Sequence, residues 1–264
     1  MKIIITAGGT TEKIDPVRKI TNMATGRLGS LTAGEFVRQG GGRIETIFYV
    51  CGRDTVVPDL PCVETVPAES AEEVRDALSG LLTSRRIDAV IHSMAVSDYT
   101  VDKATTAEDL AAFLAEKLFP LGERGFPDES SLAGFLAGCI RENDRLLDQS
   151  RKISSDVESL ILSMKRTPKL IRLIKSLQPS AVLVGFKLLN GVEKQRLLDA
   201  GYEVLVRNSC DLVLANDKTE IGAGRHVGYL ISPDRTFDRF GTKEEIAGAI
   251  AGRVLTLIGE RERQ

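Results

Sequence analysis

The first forty residues alternate between apolar runs and polar, glycine-containing breaks. The apolar run at 3–5 predicts a short buried strand. A polar, proline-containing loop follows, and apolar positions then recur at near-helical spacing from 28 to 37, which predicts a helix over about 26–39. The glycines at 40–42 end this helix. The opening stretch is therefore predicted to fold as strand, loop and helix.

The same alternation continues along the chain. Further strands are predicted at about 44–50, 87–93, 160–164, 181–186 and 212–215, and helices at about 71–82, 107–118, 131–147, 168–177, 191–208 and 243–258. Two apolar stretches at 227–231 and 235–237 suggest a hairpin. Because strands that alternate with helices form parallel sheets, we expect an α/β fold. Its predicted architecture is a Rossmann-like, three-layer α/β/α arrangement with a mainly parallel sheet and a small β-hairpin extension.

Residues 103–150 interrupt this rhythm. Two helical patterns there flank the glycine- and proline-containing stretch 122–127. We expect one domain over 1–264 with an insertion or flap at about 103–150 beside the site. A surface excursion without a function is the alternative interpretation.

Composition narrows the classes of partner. The chain has 264 residues, a net charge of −2 and 42% hydrophobic residues, which gives no basis for binding nucleic acid or a membrane surface. No apolar run approaches the roughly 20 residues that span a bilayer. The chain begins with a predicted strand rather than with the apolar segment of a signal peptide. We therefore expect a cytoplasmic protein.

Cysteine and histidine usage predicts neither disulfides nor a metal site. The four cysteines are Cys51, Cys62, Cys139 and Cys210. They are far apart and contain no C-x-x-C spacing, so we interpret each as a buried thiol. The two histidines, His92 and His226, have no cluster of other metal-ligand types nearby in the sequence. His92 follows an apolar run, where a hydrogen-bonded histidine at the edge of the core is favoured over a catalytic one.

Polar or glycine-rich sequences follow four of the predicted strands. They are Thr6–Thr10, Ser93–Tyr99, Gly185–Lys187 and Asn216–Asp217. Since ligands of open α/β sheets bind outside the C-terminal ends of the strands, we expect a site there. Gly8, Gly9, Gly26 and Gly29, with Thr25, would let backbone N–H groups approach a phosphate. Tight turns also use glycine for geometry alone, so both interpretations stay open.

Four charged or amide side chains near these segments also have two interpretations each. Asn22 is either a turn residue or an amide that orients a carbonyl or stabilises an oxyanion. Arg18 is either solvated or a bidentate clamp on phosphate or carboxylate. Asp98 is either a helix cap or a site carboxylate. Lys152 is either an ordinary surface lysine or a cation that neutralises a triphosphate or a leaving pyrophosphate.

Taken together, these segments resemble phosphopantothenate–cysteine ligase, a family of coenzyme A biosynthesis. The matching segments are 6–10, 14–18, 20–22, 25–29, 95–99, 152–155, 167–169, 184–187 and 214–217. They occur in the family's order and leave only about 103–150 unmatched. The Lys152-Ile153-Ser154-Ser155 and Gly185-Phe186-Lys187 forms are most similar to the free-standing bacterial ligases.

The resemblance implies a two-step ligation that consumes a nucleoside triphosphate, with CTP favoured over ATP. The carboxylate of 4′-phosphopantothenate attacks the α-phosphate and expels pyrophosphate, which gives an acyl nucleotide (an acyl-cytidylate with CTP). The amine of L-cysteine then attacks the acyl carbon and releases the nucleoside monophosphate. Mg²⁺ would accompany the triphosphate.

The resemblance also implies roles for particular residues. Asn22 and Lys152 match catalytic positions, and Arg18, Asn22, Ala95 and Asp98 match substrate-binding positions. The positions that match nucleotide contacts are Gly8, Gly9, Thr25, Gly26, Gly29, Phe186 and Asn216. Arg18 matches an arginine that reaches the substrate from the neighbouring subunit, which implies a homodimer.

Some positions depart from the family pattern, and two other functions stay open. Ala24 stands where a serine is usual, Ser154 and Ser155 replace a basic pair, and Val204 and Asn208 replace lysines of the fused bacterial enzymes. These departures leave the choice between CTP and ATP open. A nicotinamide-dependent oxidoreductase typically has G-x-G-x-x-G in the turn after the first strand, and this chain lacks that motif there. A non-catalytic nucleotide-binding module is the other alternative.

Overall fold

The computed structural model describes residues 1–263, except for the side chains of Glu123 and Arg124. The chain divides into two compact units. The first, which we call the sheet unit, comprises Met1–Thr11, Thr21–Asp98 and the chain from Pro168 on. The second, the ribbon unit, comprises Glu12–Ile20 and Tyr99–Thr167. The expectation of one domain over 1–264 stays a prediction, and Gln264 lies outside the described residues.

The elements are numbered in chain order. The strands are β1 (Lys2–Ala7), β2 (Thr11–Lys13), β3 (Lys19–Thr21), β4 (Thr46–Cys51), β5 (Val63–Pro67), β6 (Ala89–His92), β7 (Tyr99–Thr106), β8 (Leu160–Arg166), β9 (Val182–Leu189), β10 (Leu212–Asp217), β11 (Ile221–Gly222), β12 (Arg225–His226), β13 (Gly228–Ile231) and β14 (Phe237–Phe240). The α-helices are α1 (Arg27–Gly40), α2 (Ala71–Ser84), α3 (Ala107–Leu118), α4 (Glu129–Glu142), α5 (Leu170–Leu177), α6 (Lys194–Asn208) and α7 (Lys243–Arg261).

An eight-stranded sheet forms the centre of the sheet unit. Its strand order is β14-β13-β10-β9-β6-β1-β4-β5. The neighbours from β10 to β5 pair in parallel, whereas β13 and β14 are antiparallel. The predicted mainly parallel sheet with a hairpin extension is therefore confirmed. None of the described helices has the length and apolarity needed to cross a bilayer.

Helices cover both faces of this sheet, as the apolar run at 3–5 requires. Successive strand residues point to opposite faces. Ile3 and Ile5 accordingly lie in one core with residues of α1 and α7, and Ile4 lies in the other with residues of α2, α5 and α6. All three isoleucines are fully buried, so β1 is apolar on both sides because it has a core on each. This confirms the three-layer α/β/α prediction.

Local signals start several helices where the sequence predicts them. Ser70 caps α2 by accepting the N–H of Glu73 at 3.1 Å. Thr242 caps α7 and forms a capping box with Glu245. The helix predicted at about 168–177 instead begins at Leu170, with Lys169 as its N-cap residue. Strand β8 runs on to Arg166, and Lys169 has extended backbone angles, which delays the helix.

The ribbon unit is built on the antiparallel pair of β7 and β8. The strand predicted at 160–164 exists, but it pairs with β7 rather than joining the large sheet. Helices α3 and α4 follow β7 and are capped by Thr106 and Asp128. Strand β7 was not predicted because Tyr99–Thr106 contains charged and polar residues instead of an apolar run.

Candidate functional site

The loops that follow β1 and β6 are tied together at the C-terminal edge of the sheet. Gly9 forms a parallel bridge with Ala95. The N–H of Ala95 donates to the carbonyl oxygen of Gly8 at 2.8 Å, and the N–H of Thr10 donates to that of Ala95 at 3.1 Å. The fully buried Thr10 hydroxyl accepts the N–H of Ser97 at 2.8 Å. These bonds give the two strand ends one shared, rigid surface.

Asn22 is anchored to the same surface. Its Nδ2 donates to the carbonyl oxygen of Ala95 at 2.9 Å, and its backbone N–H donates to the carbonyl oxygen of Thr10 at 3.3 Å. The side chain is exposed. A primary amide has two N–H donors and one acceptor oxygen, so one N–H and Oδ1 remain for a ligand. An amide held in this way can donate to a carbonyl or an oxyanion without first having to be ordered.

The glycine turns of Gly8 and Gly26 pack on the side chain of Thr55. Both glycines have positive φ angles, +81° and +76°. A Cβ at Gly8 would lie 2.2 Å from Thr55 Oγ1, and one at Gly26 would lie 2.2 Å from Thr55 Cγ2. Backbone conformation and packing therefore both require glycine here. The space that a side chain would take is filled by protein, so these glycines do not by themselves indicate a phosphate.

The neighbouring glycines make similar close contacts. A Cβ at Gly9 would lie 2.3 Å from the carbonyl oxygen of Asn22, and one at Gly29 would lie 2.7 Å from Ala7 Cβ. Gly9 thus lets the Asn22 loop approach β1, and Gly29 lets α1 approach the same strand. The Thr55 contact was missed at the sequence level because Thr55 lies in the loop after β4, far from both glycines in sequence.

Helix α1 begins at this surface without a side-chain cap. Its N-cap residue is Gly26, which has no side chain to accept an N–H group. The exposed Thr25 hydroxyl accepts the N–H of Arg27 at 3.4 Å. Uncapped N–H groups and the helix dipole favour an anion at such a position. The start of α1, rather than the glycines alone, supplies the N–H donors that favour an anion here.

Asp98 forms an ion pair that the sequence did not reveal. Lys169 Nζ lies 2.5 Å from Asp98 Oδ1, and both side chains are mostly exposed. Asp98 is followed directly by β7, which excludes the alternative that it caps a helix. The pair adds a cation to the polar end of β6, where Ala95 is also partly exposed.

Phe186 and Asn216 lie near the C-terminal ends of β9 and β10. Phe186 is half-buried and packs against the core that includes α1 and α7. Asn216 is buried, and its Nδ2 lies 3.3 Å from Nε2 of His226. Burial lowers the pKa of His226, and the charges of Lys243 and Lys218 lower it further. The contact could not be predicted from the sequence, because Asn216 is on β10 and His226 is on β12, and only the fold brings the two strands together.

The other histidine is a core residue. His92 is buried, and its Nδ1 lies 3.0 Å from Thr6 Oγ1. The same hydroxyl accepts the N–H of Met94 at 3.2 Å. Burial lowers the pKa of His92 to about 4, so the ring is neutral near pH 7. These contacts agree with a hydrogen-bonded histidine at the edge of the core.

The remaining two predicted site residues, Arg18 and Lys152, belong to the ribbon unit. Arg18 Nε donates to Asp15 Oδ2 at 2.9 Å, and its Nη2 donates to the carbonyl oxygen of Ile153. Arg18 is therefore not a freely solvated arginine. Lys152 is exposed and directly precedes Ile153 in the chain.

Among the side chains that the structure describes, no group of three or more histidine, cysteine, aspartate or glutamate residues could hold a metal ion. The four cysteines are free thiols. Cys51, Cys139 and Cys210 are buried as predicted, whereas Cys62 is only partly buried. The polar groups described above at this edge of the sheet are amides, hydroxyls, backbone N–H groups and the Asp98–Lys169 pair.

Comparison with known proteins identifies relatives of this chain. Residues 1–109 and 145–257 match the family described as DNA/pantothenate metabolism flavoprotein C-terminal domain. The internal stretch that the match leaves out, 110–144, lies inside the segment that interrupts the sequence pattern. The crystal structure of the DNA/pantothenate metabolism flavoprotein from Streptococcus pneumoniae is 31% identical in sequence, with a TM-score of 0.77. The alignment covers 97% of this chain and 99% of that one.

Curated relatives are longer than this chain. The coenzyme A biosynthesis bifunctional protein CoaBC of Thermococcus kodakarensis is 28% identical over 93% of this chain and 49% of its own length. Its counterpart in Methanocaldococcus jannaschii is 25% identical over 97% of this chain and 51% of its own length. The chain thus spans about half the length of these relatives. The family match over most of its residues shows that this chain belongs to the DNA/pantothenate metabolism flavoprotein C-terminal domain family.

Proposed function

We propose that this chain is a phosphopantothenate–cysteine ligase. It joins 4′-phosphopantothenate and L-cysteine into 4′-phosphopantothenoyl-cysteine at the cost of one nucleoside triphosphate. The family membership, the coenzyme A biosynthesis relatives and the ordered sequence segments support this proposal. The observation that carries it is the amide of Asn22, fixed on Ala95 at the C-terminal edge of the sheet.

The first step forms an acyl nucleotide. An oxygen of the substrate carboxylate attacks the α-phosphorus, and the bond from this phosphorus to the oxygen of the leaving pyrophosphate breaks. The free N–H of Asn22 donates to the carboxylate and holds it for attack. Lys152 neutralises charge on the leaving pyrophosphate.

The second step forms the amide. The amine of cysteine attacks the acyl carbon, the bond from this carbon to the phosphate oxygen breaks, and the nucleoside monophosphate leaves with that electron pair. The amine loses its proton to solvent. Asn22 donates to the oxyanion that develops on the acyl oxygen, where a pre-ordered donor is most effective.

The nucleotide lies along the edge from β1 to β10. Its phosphates meet the N–H groups at the start of α1, supported by Gly8, Gly9, Thr25, Gly26 and Gly29. Phe186 and Asn216 contact the nucleoside, and Ala95 and Asp98 contact phosphopantothenate. We assign CTP over ATP because the Lys152 and Gly185-Phe186-Lys187 segments are most similar to the free-standing bacterial ligases.

Mg²⁺ enters this scheme with the nucleotide. The described residues supply no carboxylate cluster that would bind the ion on its own, which suits an ion bound mainly by phosphate oxygens and water. When bound, it would neutralise charge on the triphosphate. No step of the scheme depends on a particular protein ligand of the ion.

One assay tests the ligase activity. The protein is incubated with phosphopantothenate, cysteine and MgCl₂, and CTP or ATP is supplied in turn. We expect pyrophosphate release and an amide product identified by mass, faster with CTP. Binding of a nucleotide without product from either would support a non-catalytic module and contradict the proposal.

The homodimer and the cross-subunit role of Arg18 have their own test. Arg18→Ala and Asn22→Ala subunits should each retain only a small fraction of wild-type activity alone if both residues are needed. In a mixed dimer, one of the two sites has an intact Asn22 and an intact Arg18 from the partner. Random mixing should therefore restore about a quarter of wild-type activity, because half of the dimers are mixed and each has one intact site. If the subunits are shown to exchange but the activity does not recover, Arg18 acts in the site of its own subunit.

A further inference from the structure

We infer that Asp15 is the positioning residue of Arg18, holding its guanidinium with one edge directed at an anionic group of the substrate. This inference rests on the proposed function, because it concerns the arginine that binds phosphopantothenate there. All of the contacts that carry it lie within the ribbon unit.

The carboxylate of Asp15 is fully buried, and four N–H groups satisfy it. Oδ1 accepts the backbone N–H groups of Val17 at 2.8 Å and of Arg18 at 2.7 Å. Oδ2 accepts Arg18 Nε at 2.9 Å and the backbone N–H of Ile153 at 3.2 Å. One buried side chain therefore fixes the turn at 15–18, the arginine head group and the chain at 153.

The carboxylate remains charged in this environment. Burial raises the pKa of Asp15, but the N–H groups of Val17, Arg18 and Ile153 and the charge of Arg18 outweigh burial and leave the pKa below its ordinary value. Four donors and the charge of Arg18 offset the cost of burying this carboxylate. The partner that it holds is Arg18.

The contacts of Arg18 leave a defined part of its guanidinium for a ligand. Nε donates to Asp15, and one N–H of Nη2 donates to the carbonyl oxygen of Ile153. A guanidinium has five N–H groups, so three remain, two on Nη1 and one on Nη2. One from each nitrogen forms the terminal edge that binds a carboxylate or phosphate through two parallel hydrogen bonds. The arginine side chain is about two-fifths exposed, at 38%.

The backbone of Ile153 contacts both Asp15 and Arg18. Its N–H donates to Asp15, and its carbonyl oxygen accepts from Arg18. Rotation of the guanidinium about its long axis would break one of these contacts. Arg18 is therefore pre-ordered, and its binding to an anion does not have to offset the entropy of a mobile arginine.

A double-mutant cycle tests the inference. Asp15→Asn keeps the shape of the side chain but puts an NH₂ group against N–H donors. We expect it to raise the KM for phosphopantothenate about tenfold or more, the effect of losing a hydrogen bond to a charged group, with the KM for cysteine unchanged. In an Arg18→Ala background, Asp15→Asn should change that KM less than about twofold, because its effect passes through Arg18.

Controls separate positioning from stability. Asp128→Asn alters another carboxylate of the ribbon unit, which caps α4 by accepting the N–H of Ser131, and should leave both KM values unchanged. If Asp15→Asn does not fold, the cycle is repeated with Asp15→Glu, which keeps the charge and moves it by one methylene. An equal KM increase with and without Arg18 would overturn the inference, since it would show a purely structural role.

The same cycle can be read without turnover. Calorimetric titration of each variant with phosphopantothenate gives a Kd, and the same pattern is expected. Wild-type protein that binds phosphopantothenate but makes no amide would refute the ligase proposal and leave the Asp15 inference to be judged on Kd. Wild-type protein that does not bind it at all would overturn both.

Discussion

The side-chain amide of Asn22 donates a hydrogen bond of 2.9 Å to the carbonyl oxygen of Ala95. This bond joins the loop between β3 and α1 to the loop after β6. The Ala95 oxygen also accepts the N–H of Thr10, so one carbonyl holds both the turn and the amide. Asn22 is thereby fixed while it stays exposed to a ligand.

Replacing Asn22 with alanine should slow the reaction without unfolding the protein. We expect kcat to fall about 100- to 1,000-fold, the range found when one oxyanion donor is removed. The side chain is exposed, so the melting temperature should change little. Steady-state kinetics and thermal melting measure the two effects. Met23→Ala is the matched control, because Met23 is the next residue and its side chain is 98% exposed. Equal turnover in wild type and Asn22→Ala would remove Asn22 from the catalytic residues.

The contact between Gly26 and Thr55 predicts a destabilisation that a second mutation relieves. Gly26→Ala should lower the free energy of unfolding by more than about 1 kcal/mol, because positive φ strain adds to a collision with Thr55 Cγ2. Thr55→Ser removes that methyl group, so Gly26→Ala should cost less in a Thr55→Ser background. Urea unfolding of the four proteins measures both steps.

Gly34 provides the control for this experiment. It lies in the same helix, and a Cβ there would meet no atom within 4 Å. Gly34→Ala should therefore stabilise the protein by about 0.5–1 kcal/mol. Identical costs for Gly26→Ala with and without the Thr55 methyl would show that the collision is not the cause.

Because the buried His92 has a lowered pKa, we expect the protein to lose stability in mild acid. Burial holds its pKa at about 4, against about 6.5 in an unfolded chain. The unfolded state therefore binds a proton more readily, and the contribution present above pH 6.5 is lost as the pH falls towards 4. The loss should approach about 1.4 kcal/mol per pH unit in that window.

Urea unfolding between pH 7 and pH 4 measures this effect. A His92→Gln protein should show a flatter pH dependence than wild type, because its side chain does not titrate. His226 also has a lowered pKa, so some dependence should persist in that variant. Parallel curves for the two proteins would mean that His92 does not contribute.

Much of the fold could be predicted because the large sheet is apolar on both faces. The runs around Ile3, Val90, Val184 and Leu214 are buried strands, and each was recognisable from its own residues. Strand β5 was not predicted. It is an edge strand with exposed positions, so its sequence carries little of the apolar signal.

Only those parts of the site whose residues are close together in sequence could be predicted. Asn22, the glycine turns and the start of α1 lie within one short segment, and the sequence placed them together. The contacts of Gly26 with Thr55, of Asp98 with Lys169 and of Asn216 with His226 join residues that are apart in sequence. Their chemistry depends on the tertiary fold, which periodicity does not encode.

The division of the chain has a consequence for how the sheet forms. Strands β6 and β9 are neighbours, and Ala89 pairs with Val182, yet Tyr99–Thr167 of the ribbon unit lies between them in sequence. Neither unit is a continuous segment, so no single truncation separates them. Closing so long a loop costs entropy before the β6–β9 hydrogen bonds offset it. The β6–β9 pair lies at the centre of the sheet, and its residues are further apart in sequence than those of any other parallel pair in the sheet. It joins the N-terminal half of the sheet to the C-terminal half.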